Sequence, residues 1–546
     1  MTFKASPAQQ AFYNWVETDS GNCILNAVAG AGKTTTILNG IARMKGKVWF
    51  GVYNKKMATE IKEKLEARKD LKARTEFKAS DRVESSTFHS LGLSLLRSAV
   101  GKGVKVDVDE KKVERIVDRL IAEREAVEQQ RRDDLRDIAG AVTSIVSMAK
   151  NRGFVGPKVA AELGLTDASS TDAWMSMLET FDLLESIPEG LESTAIKFAR
   201  AVLMRSNEDM TTVDMDDMVY LPLARNVRLA PWHMFDWVLV DEAQDTNPTR
   251  RALARKVMSH RARLVAVGDP HQAIFGFTGA DNDSLQQIRD AFNAKELPLT
   301  VTYRCPKAVV EHARQWVSHI TAHESAPEGE VLTQPYGAFV DSLPMIDRAH
   351  YGETAILCRY NKYLVGLCFK MIRMGLPAKI EGRSIGEGLV KLATRWKAVK
   401  TVNGLETKLR EYEEREVAKA LAKQQESKAD RITDEVATLL TIIERVRANN
   451  ADRVEDVVAC IEEIFADGVA GKGLITLCSA HKSKGLEWET VYILDREALM
   501  PSKFAKQDWQ VEQERNLIYV AVTRAKAKLV EVTGVVEEKD PTKEAA

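Results

Sequence analysis

The segment of residues 27–34, AVAGAGKT, constrains the fold of this chain more than any other stretch. It follows an apolar run at residues 23–25 that predicts a short buried strand, and residues 35–43 after it predict a helix. A strand, a glycine-rich loop, Lys-Thr and a helix form the phosphate-binding arrangement of nucleoside triphosphatases, because backbone N–H groups and the helix N-terminus attract phosphate oxygens. The usual first glycine is Ala27 here, and an ordinary glycine-rich turn is the alternative interpretation.

An acidic strand end supports the nucleotide interpretation. Residues 235–240 are apolar and lead into Asp241-Glu242. Asp241 suits a Mg²⁺ ligand, and Glu242 is placed to orient or deprotonate an attacking water. A solvated acidic strand end is the alternative, but both features together predict a Mg²⁺-dependent hydrolase of nucleoside triphosphates. Lys33 is then expected to reach the β- and γ-phosphates and Thr34 to hold the metal, with the phosphate-binding residues being Ala29, Gly30, Ala31, Gly32, Lys33, Thr34 and Thr35.

Composition limits the size and setting of the protein. At 546 residues the chain is too long for one core, and about three or four domains or subdomains are expected. Lys plus Arg number 78 and Asp plus Glu 79, so any site for a polyanion must be a local groove. The six cysteines have no CxxC or zinc-ligand spacing, which favours reduced, mostly buried thiols in a cytosolic compartment. No signal peptide and no apolar run near about twenty residues is found, so no membrane partner is expected.

Strand and helix patterns alternate in two regions, and each region is interrupted by a helix-periodic block. Such alternation predicts an α/β fold with parallel sheets covered by helices. The predicted domains are a first sheet domain (1–90 and 216–287), a helical insertion (91–215), a second sheet domain (288–390 and 471–546) and a reduced helical insertion (391–470). The densely charged run at 406–429 favours a solvated helix or helical hairpin over a dedicated binding surface.

Further short segments occur in a fixed order along the chain. They are SPAQQ (6–10), YNK (53–55), TFHS (87–90), VGDPHQAIFGFTGA (267–280), VTYRCP (301–306), TLCSAHKSKGLEW (476–488) and QERNLIYVAVTRA (513–525). Each segment alone is a weak indicator of family. Together, and with the two segments above, they resemble the motifs of the UvrD/Rep/PcrA-like DNA helicases of superfamily 1. The resemblance covers nearly all of both sheet regions and leaves the helical insertions outside. It implies two RecA-like parallel-sheet domains, each interrupted by a mainly helical insertion.

The resemblance also implies roles in nucleotide binding. Gln9 would read the adenine edge, with Gln10 as the alternative if the register differs by one, and Tyr303 would stack on adenine. Gly485 and Glu487 would lie near the nucleotide, with Glu487 accepting from a ribose hydroxyl.

Three further side chains would act on the γ-phosphate. Gln272 would contact it or its water, and Arg304 and Arg524 would reach it from the second sheet domain. Arginines that arrive from another domain make hydrolysis depend on domain motion.

The implied contacts with a DNA strand fall in both sheet domains. They are Tyr53, Asn54, Lys55, Thr87, Phe88, His89, Phe275 and Phe277 in the first, and Ser479, His481 and Lys482 in the second. The chain departs from the family at Val52, where an aromatic is usual, and at Phe277-Thr278, where Trp-Arg is common. Phe275 and Phe277 could instead belong to the core, and a core role is favoured for Trp488. Asp214 is expected to cap a helix.

The function implied is that of an ATP-dependent DNA helicase or translocase that uses Mg²⁺, moves 3′ to 5′ on single-stranded DNA and opens duplex junctions. Such a protein is expected in the cytoplasm of a bacterium or host cell, associated with the nucleoid. The alternatives are a motor subunit of a helicase–nuclease complex, a translocase that clears proteins from DNA without strong unwinding, and a nucleotide switch. The short second insertion resembles compact phage-type or F-box-helicase-like members, without an F-box-like segment. Protein partners and the DNA pathway (repair, replication or recombination) are not predicted.

Overall fold

The computed structural model describes residues 4–75, 81–101, 103–123, 129–276, 279–281, 283–422, 426–466, 473–503, 505 and 507–536. Internal contacts divide the chain into two compact units. Unit 1 contains Met1–Ala27 and Gly32–Leu299, and unit 2 contains Val28–Ala31 and Thr300–Ala546.

Unit 1 alternates strands and helices, as its sequence pattern predicts. Its strands are β1 (Asn22–Ala27), β2 (Val48–Val52), β3 (Val83–Thr87), β4 (Asp107–Val108), β5 (Phe154–Val155), β6 (Thr166–Asp167), β7 (Thr212–Val213), β8 (Phe235–Val240), β9 (Met258–Gly268) and β10 (Ala294–Leu299). Its helices are α1 (Pro7–Thr18), α2 (Lys33–Ile41), α3 (Lys55–Ala67), α4 (Phe88–Val100), α5 (Lys112–Glu123), α6 (Gln129–Asp137), α7 (Ala139–Asn151), α8 (Pro157–Leu163), α9 (Thr171–Thr180), α10 (Glu192–Glu208), α11 (Met215–Ala224), α12 (Pro248–Lys256) and α13 (Ser284–Phe292).

The main sheet of unit 1 has the strand order β10-β1-β9-β8-β2-β3, and the pairings between neighbours are parallel. Every residue of β2, VWFGV, is buried, which is the continuous apolar pattern of a strand covered on both faces. Because neighbouring strands run in the same direction, the loops after β1, β9, β8, β2 and β3 all leave from one side, the carboxyl edge of this sheet. The predicted phosphate loop and acidic strand end therefore lie at the same edge.

The helical block of unit 1 has its own core, in which Trp174, Val142 and Phe198 are buried. Asp214 caps α11 by accepting a hydrogen bond from the backbone N–H of Asp217, so the predicted capping role is confirmed.

Two lysines neutralise the buried carboxylates at this cap. Lys150 Nζ lies 2.5 Å from Asp214 Oδ2 and 2.8 Å from Asp217 Oδ1, and Lys112 Nζ lies 2.6 Å from Asp217 Oδ2. This network ties α5 and α7 to the start of α11.

Unit 2 repeats the alternation. Its strands are β11 (Val301–Thr302), β12 (Thr321–Ala322), β13 (Glu330–Pro335), β14 (Thr354–Cys358), β15 (Ala378–Glu381), β16 (Phe465–Ala466), β17 (Ile475–Ser479), β18 (Trp488–Leu494) and β19 (Ala525–Thr533). Its helices are α14 (Lys307–Ala313), α15 (Tyr336–Ser342), α16 (Asn361–Arg373), α17 (Arg383–Ala393), α18 (Val402–Ala422), α19 (Glu426–Ala448), α20 (Val454–Ile464), α21 (Arg496–Leu499) and α22 (Asp508–Val522).

The main sheet of unit 2 has the order β13-β19-β18-β14-β17-β15-β16, again with parallel pairing between neighbours. Leu405 and Leu409 of α18 and Val436 of α19 are buried in the core of this unit, while Lys408 and Glu411 pair at the surface. The charged run therefore forms helices whose charged positions face solvent, as predicted.

These two parallel sheets confirm the predicted α/β class. The border between the units lies at Leu299, whereas the sequence pattern placed it at 287. The reason is β10, which pairs with β1 from Asn22↔Ala294 to Ala27↔Leu299 and so belongs to the first sheet.

Candidate active site

The phosphate loop leads directly into α2. Gly32 precedes this helix with a φ of 74°, and Gly30 has a φ of 72°, a region that residues with a Cβ rarely adopt. Gly32 has no side chain that could cap α2, so the start of this helix presents backbone N–H groups of the kind that bind anions. Lys33 and Thr34 stand in the first turn, and Thr35 beside them is exposed.

Three carboxylates surround the ammonium group of Lys33. Its Nζ lies 3.4 Å from Glu242 Oε1. Burial alone would lower the pKa of Lys33, but Glu242, Asp241 and Asp269 outweigh burial and raise it. Lys33 is therefore a cation in a strongly negative surrounding.

The pKa values of two of these carboxyl groups are raised. Burial, and then the negative charge of Glu242, raise the pKa of Asp241 to about 6, although Lys33 acts in the opposite direction. Burial also raises the pKa of Asp269. Asp241 follows β8 and Asp269 follows the neighbouring β9, which explains how distant sequence positions meet around one lysine.

The backbone of Glu242 is strained, with φ 49° and ψ 45° in the left-handed region. A non-glycine residue held there costs about 1–3 kcal/mol and is typical of functional sites. Gln244 holds it in place: its Nε2 donates to Glu242 Oε2, and its Oε1 accepts from the backbone N–H of Asp269 at 3.1 Å. Sequence reasoning missed Gln244, which follows the acidic strand end, and Asp269, which stands in the segment 267–280.

Gln272 contacts this cluster, and Gln9 contacts helix α2. Gln272 is buried and donates from Nε2 to Asp269 Oδ2 at 2.7 Å. Gln9 accepts from the backbone N–H of Ser6 at 3.0 Å and donates to Thr36 Oγ1 of α2 at 3.0 Å. Gln10 lies on the exposed face of α1, so Gln9 is the one of the pair that contacts the helix after the phosphate loop.

A stacked aromatic pair lies further along the carboxyl edge of the same sheet. Tyr53 follows β2 and Phe275 follows β9, and their ring centroids are 5.8 Å apart with planes 11° from parallel. Both side chains are half-buried. Aromatic side chains are the groups on which the bases of a single strand commonly stack.

The other predicted strand contacts of unit 1 differ in exposure. Asn54 caps α3 and is exposed, as is Lys55. Thr87 caps α4 and is buried. Burial, and then the charge of Arg250, lower the pKa of His89 to about 4, so this half-buried side chain is neutral at pH 7.

Phe88 does not reach this surface, which corrects the expectation from sequence. Its ring is 4 % exposed and packs edge-on against Trp49, with centroids 5.1 Å apart. The turn from β3 into α4 directs the side chain after Thr87 into the core. Phe277 lies outside the described residues.

In unit 2 the two predicted arginines have different surroundings. Arg304 donates from Nε to Glu487 Oε2 at 2.6 Å, so the structure brings together two residues expected at the nucleotide. Arg524 is 1 % exposed and donates to the backbone carbonyls of Val520 at 2.8 Å and Leu486 at 3.2 Å.

The segment Val28–Ala31 belongs to unit 2 and contacts Tyr303 and Tyr519 of that unit. The carbonyl of Gly30 accepts from the backbone N–H of Tyr303 at 2.9 Å, and Ala29 N–H donates to Tyr519 Oη at 3.0 Å. A Cβ on Gly30 would lie 2.5 Å from Arg304 Cβ, which makes glycine necessary here in addition to the positive φ. Tyr303 is 45 % exposed, and its ring centroid lies 4.8 Å from that of His323.

The last group of predicted contacts follows β17. Ser479 Oγ accepts from the backbone N–H of Lys482 at 3.4 Å, and Lys482 is exposed. Burial, and then the charges of Arg359 and Lys484, lower the pKa of His481 to about 3. Gly485 is exposed with a φ of 86°, and Trp488 is 2 % exposed, which confirms its predicted place in the core.

A parallel sheet with a glycine loop, Lys-Thr and an acidic strand end defines the class of P-loop nucleotide-binding proteins. Within that class the sequence matches the UvrD/REP helicase N-terminal domain over residues 8–293 and the UvrD-like helicase C-terminal domain over residues 385–533. The chain belongs to the UvrD-like helicase family.

Curated relatives support this membership. The chain is 25 % identical to ATP-dependent DNA helicase Rep of Escherichia coli (strain K12), over 57 % of this chain and 42 % of that protein. It is 21 % identical to ATP-dependent DNA helicase PcrA of Bacillus subtilis (strain 168), over 96 % of this chain and 82 % of that protein. It is 26 % identical to F-box DNA helicase protein 1 of Schizosaccharomyces pombe (strain 972 / ATCC 24843), over 54 % of this chain and 34 % of that protein. The chain spans about half or less of the length of several relatives that it matches.

Two features are absent from the described residues. None of the described helices is both long and apolar enough to span a membrane. Among the same residues, no group of three or more His, Cys, Asp or Glu side chains is arranged to hold a metal ion.

Proposed function

We propose that this protein is an ATP-dependent DNA helicase or translocase that moves 3′ to 5′ on single-stranded DNA and opens duplex junctions. The observation that carries the proposal lies within unit 1, where the Lys33 cluster and the Tyr53–Phe275 pair share the carboxyl edge of one sheet. A phosphate site and a base-stacking surface on the same rigid sheet are suited to coupling nucleotide hydrolysis with grip on a strand. Family membership supports the polarity, which residue geometry alone does not provide.

Mg²⁺ fits the donors around Lys33. Three carboxylates against one ammonium leave excess negative charge, and the charge of Glu242 adds to the larger effect of burial in raising the pKa of Asp241. Mg²⁺ is usually bound by one or two carboxylates together with substrate phosphates and water, so a site with few protein ligands is what this ion needs. Thr34 and Asp241 would hold it, and the ion would neutralise charge on the phosphates.

The remaining roles follow from the charges and hydrogen bonds already described. Lys33 would pair with phosphate oxygens in place of Glu242, which frees that carboxylate to take a proton from water. Gln272, linked to Asp269, would orient that water or the γ-phosphate. We further propose, from the family resemblance, that Arg304 and Arg524 stabilise the charge that develops on the transferred phosphoryl group.

The contacts with the DNA strand would be largely independent of its base sequence. Tyr53 and Phe275 would stack with bases of the strand, and stacking contributes about 1–3 kcal/mol per base for any base. His481 is neutral at pH 7, so it would contact a phosphate as a hydrogen-bond donor rather than as a cation. Lys482 and Lys55, both exposed, would provide positive charge.

The test is strand displacement from duplexes that carry a single-stranded tail on either end. We expect ATP-dependent displacement from the 3′-tailed substrate, little from the 5′-tailed one, and none by Glu242→Gln. Preference for the 5′ tail would refute the polarity. Movement along single strands without displacement from either substrate would favour a translocase that clears proteins from DNA.

A further inference from the structure

One arginine beside the stacked aromatic pair has no role in the function described so far. Arg250 stands in the first turn of α12, and its guanidinium carbon lies 5.1 Å from the centroid of the Tyr53 ring. One of its nitrogens donates to the backbone carbonyl of Asp245 at 3.2 Å. The side chain is half-buried, and in the described part of the chain no carboxylate forms an ion pair with it.

The neighbouring arginines of α12 differ from Arg250. Arg251 is paired with Asp281 at 2.7 Å, so its charge is compensated within the protein. Arg255 also lies over a ring, with its guanidinium carbon 5.0 Å from the Phe292 centroid, and it donates to the carbonyl of Ala291 at 2.9 Å. Arg255 is exposed and lies over Phe292, not over a ring of the stacked pair, so it has the same kinds of contact as Arg250 at a different ring.

The charge of Arg250 acts on the neighbouring His89. It helps to lower the pKa of His89 to about 4, after the larger effect of burial, so His89 adds no second cation at pH 7. A half-buried guanidinium without a carboxylate is costly unless another anion compensates it. Arginine stacked on a ring keeps its in-plane N–H groups available, and these match the oxygens of a phosphate.

We propose that Arg250 binds a backbone phosphate of the single strand, next to the base that stacks on Tyr53 and Phe275. This proposal rests on the proposed function. A ring face and a phosphate contact both ignore base identity, so the combination grips any strand at one nucleotide position. Arg250 therefore adds a cation to a surface whose described aromatic members are neutral.

The salt dependence of strand binding tests this proposal. The probe is a fluorescein-labelled oligothymidylate of about 16 nucleotides, a length typical of single-strand sites, with binding followed by anisotropy without nucleotide between about 50 and 200 mM salt. Each phosphate neutralised on a single strand contributes about −0.7 to the slope of log K against log salt. For Arg250→Gln we expect a slope shallower by about 0.7 and, at low salt, affinity reduced about tenfold.

Two variants serve as controls. Arg250→Lys keeps a cation and should retain the wild-type slope. Arg255→Gln makes the same chemical change at the matched ring and carbonyl contacts and should bind as the wild type does.

The outcomes separate this proposal from the function on which it rests. If the wild type binds the oligonucleotide and Arg250→Gln has the wild-type slope, Arg250 supports the Tyr53 ring only and this proposal is overturned. If the wild type does not bind at all, the proposed function itself fails.

A second measurement needs no variant and so does not depend on variant folding. Phenylglyoxal modification followed by mass spectrometry should label Arg250 in the free protein and not in the oligonucleotide complex, while Arg255 is labelled in both. Equal labelling of Arg250 with and without oligonucleotide would also overturn the proposal.

Discussion

The buried carboxyl group of Asp241 should destabilise the folded protein at neutral pH, and its neutral isostere should relieve this cost. The pKa of Asp241 rises from 3.8 to about 6 on folding, mainly through burial and then through Glu242. A shift of about two pH units corresponds to about 3 kcal/mol. Asparagine keeps an oxygen to accept from the backbone N–H of Glu242, a bond of 3.0 Å in the wild type. The substitution also removes one counter-charge from Lys33, which offsets part of this gain. We therefore expect Asp241→Asn to raise the free energy of unfolding by about 1–3 kcal/mol at pH 8.

The sign and pH range of this effect follow from the raised pKa. A carboxyl group with a raised folded-state pKa favours the folded state while it is protonated, and that contribution is lost as the pH rises through about 6. The gain from Asp241→Asn should therefore be largest above pH 6 and shrink as the pH falls toward 3.8. Melting curves without nucleotide or metal measure it, at roughly 2–4 °C per kcal/mol for a unit of this size.

The control is a variant at a carboxyl group whose pKa is lowered on folding, so that its substitution should change the stability in the opposite direction. Burial alone would raise the pKa of Asp209, but hydrogen bonds from Thr211 and Thr212 lower it to about 2. Its contribution is present above the unfolded pKa and is lost as the pH falls through about 2, so Asp209→Asn should lower the melting temperature at pH 8. If Asp241→Asn were less stable than the wild type at pH 8, or if its effect did not change between pH 4 and pH 8, the electrostatic account of this site would be wrong.

Three further outcomes are expected. Lys33→Ala and Glu242→Gln should each lose the release of phosphate from ATP, and loss of the general base Glu242 should slow it by about 10²–10⁴-fold. Glu242→Gln should still bind a fluorescent ATP analogue. Normal ATP turnover in either variant would show that the substituted residue does not have the role assigned to it. Arg524→Ala should bind ATP with an affinity within a modest factor of the wild type but hydrolyse it about 10³–10⁵-fold more slowly, and wild-type hydrolysis would exclude the arginine from phosphoryl transfer. Lys150→Met leaves Asp217 without one of its two cations in a buried site and should lower the free energy of unfolding in urea by about 3–5 kcal/mol, whereas unchanged stability would mean that the buried pair contributes nothing.

Much of the fold could be predicted because apolar runs and charged strand ends alternate along the chain. In a parallel sheet each such end emerges at the same edge, so Lys33, Asp241 and the segment with Gln272 had to meet once their strands were neighbours. The order of strands is not encoded locally, and the place of β10 beside β1 moved the unit border to Leu299.

Side-chain direction was harder to predict. Phe88 and His89 are adjacent in a short segment, yet the first is buried against Trp49 and the second is half-buried at the surface. The pairing of Arg304 with Glu487 joins residues far apart in sequence, and no local pattern indicates it. Arg250 shows the same difficulty, because its closeness to the Tyr53 ring depends on where α12 packs after β8.

The most direct test of the account is the rate of ATP hydrolysis with and without single-stranded DNA. If hydrolysis and strand binding belong to one coupled machine, saturating oligothymidylate should raise the rate of phosphate release many-fold, and the rise should disappear in Glu242→Gln. A wild-type rate that is indifferent to the oligonucleotide would contradict the coupling and favour a nucleotide switch.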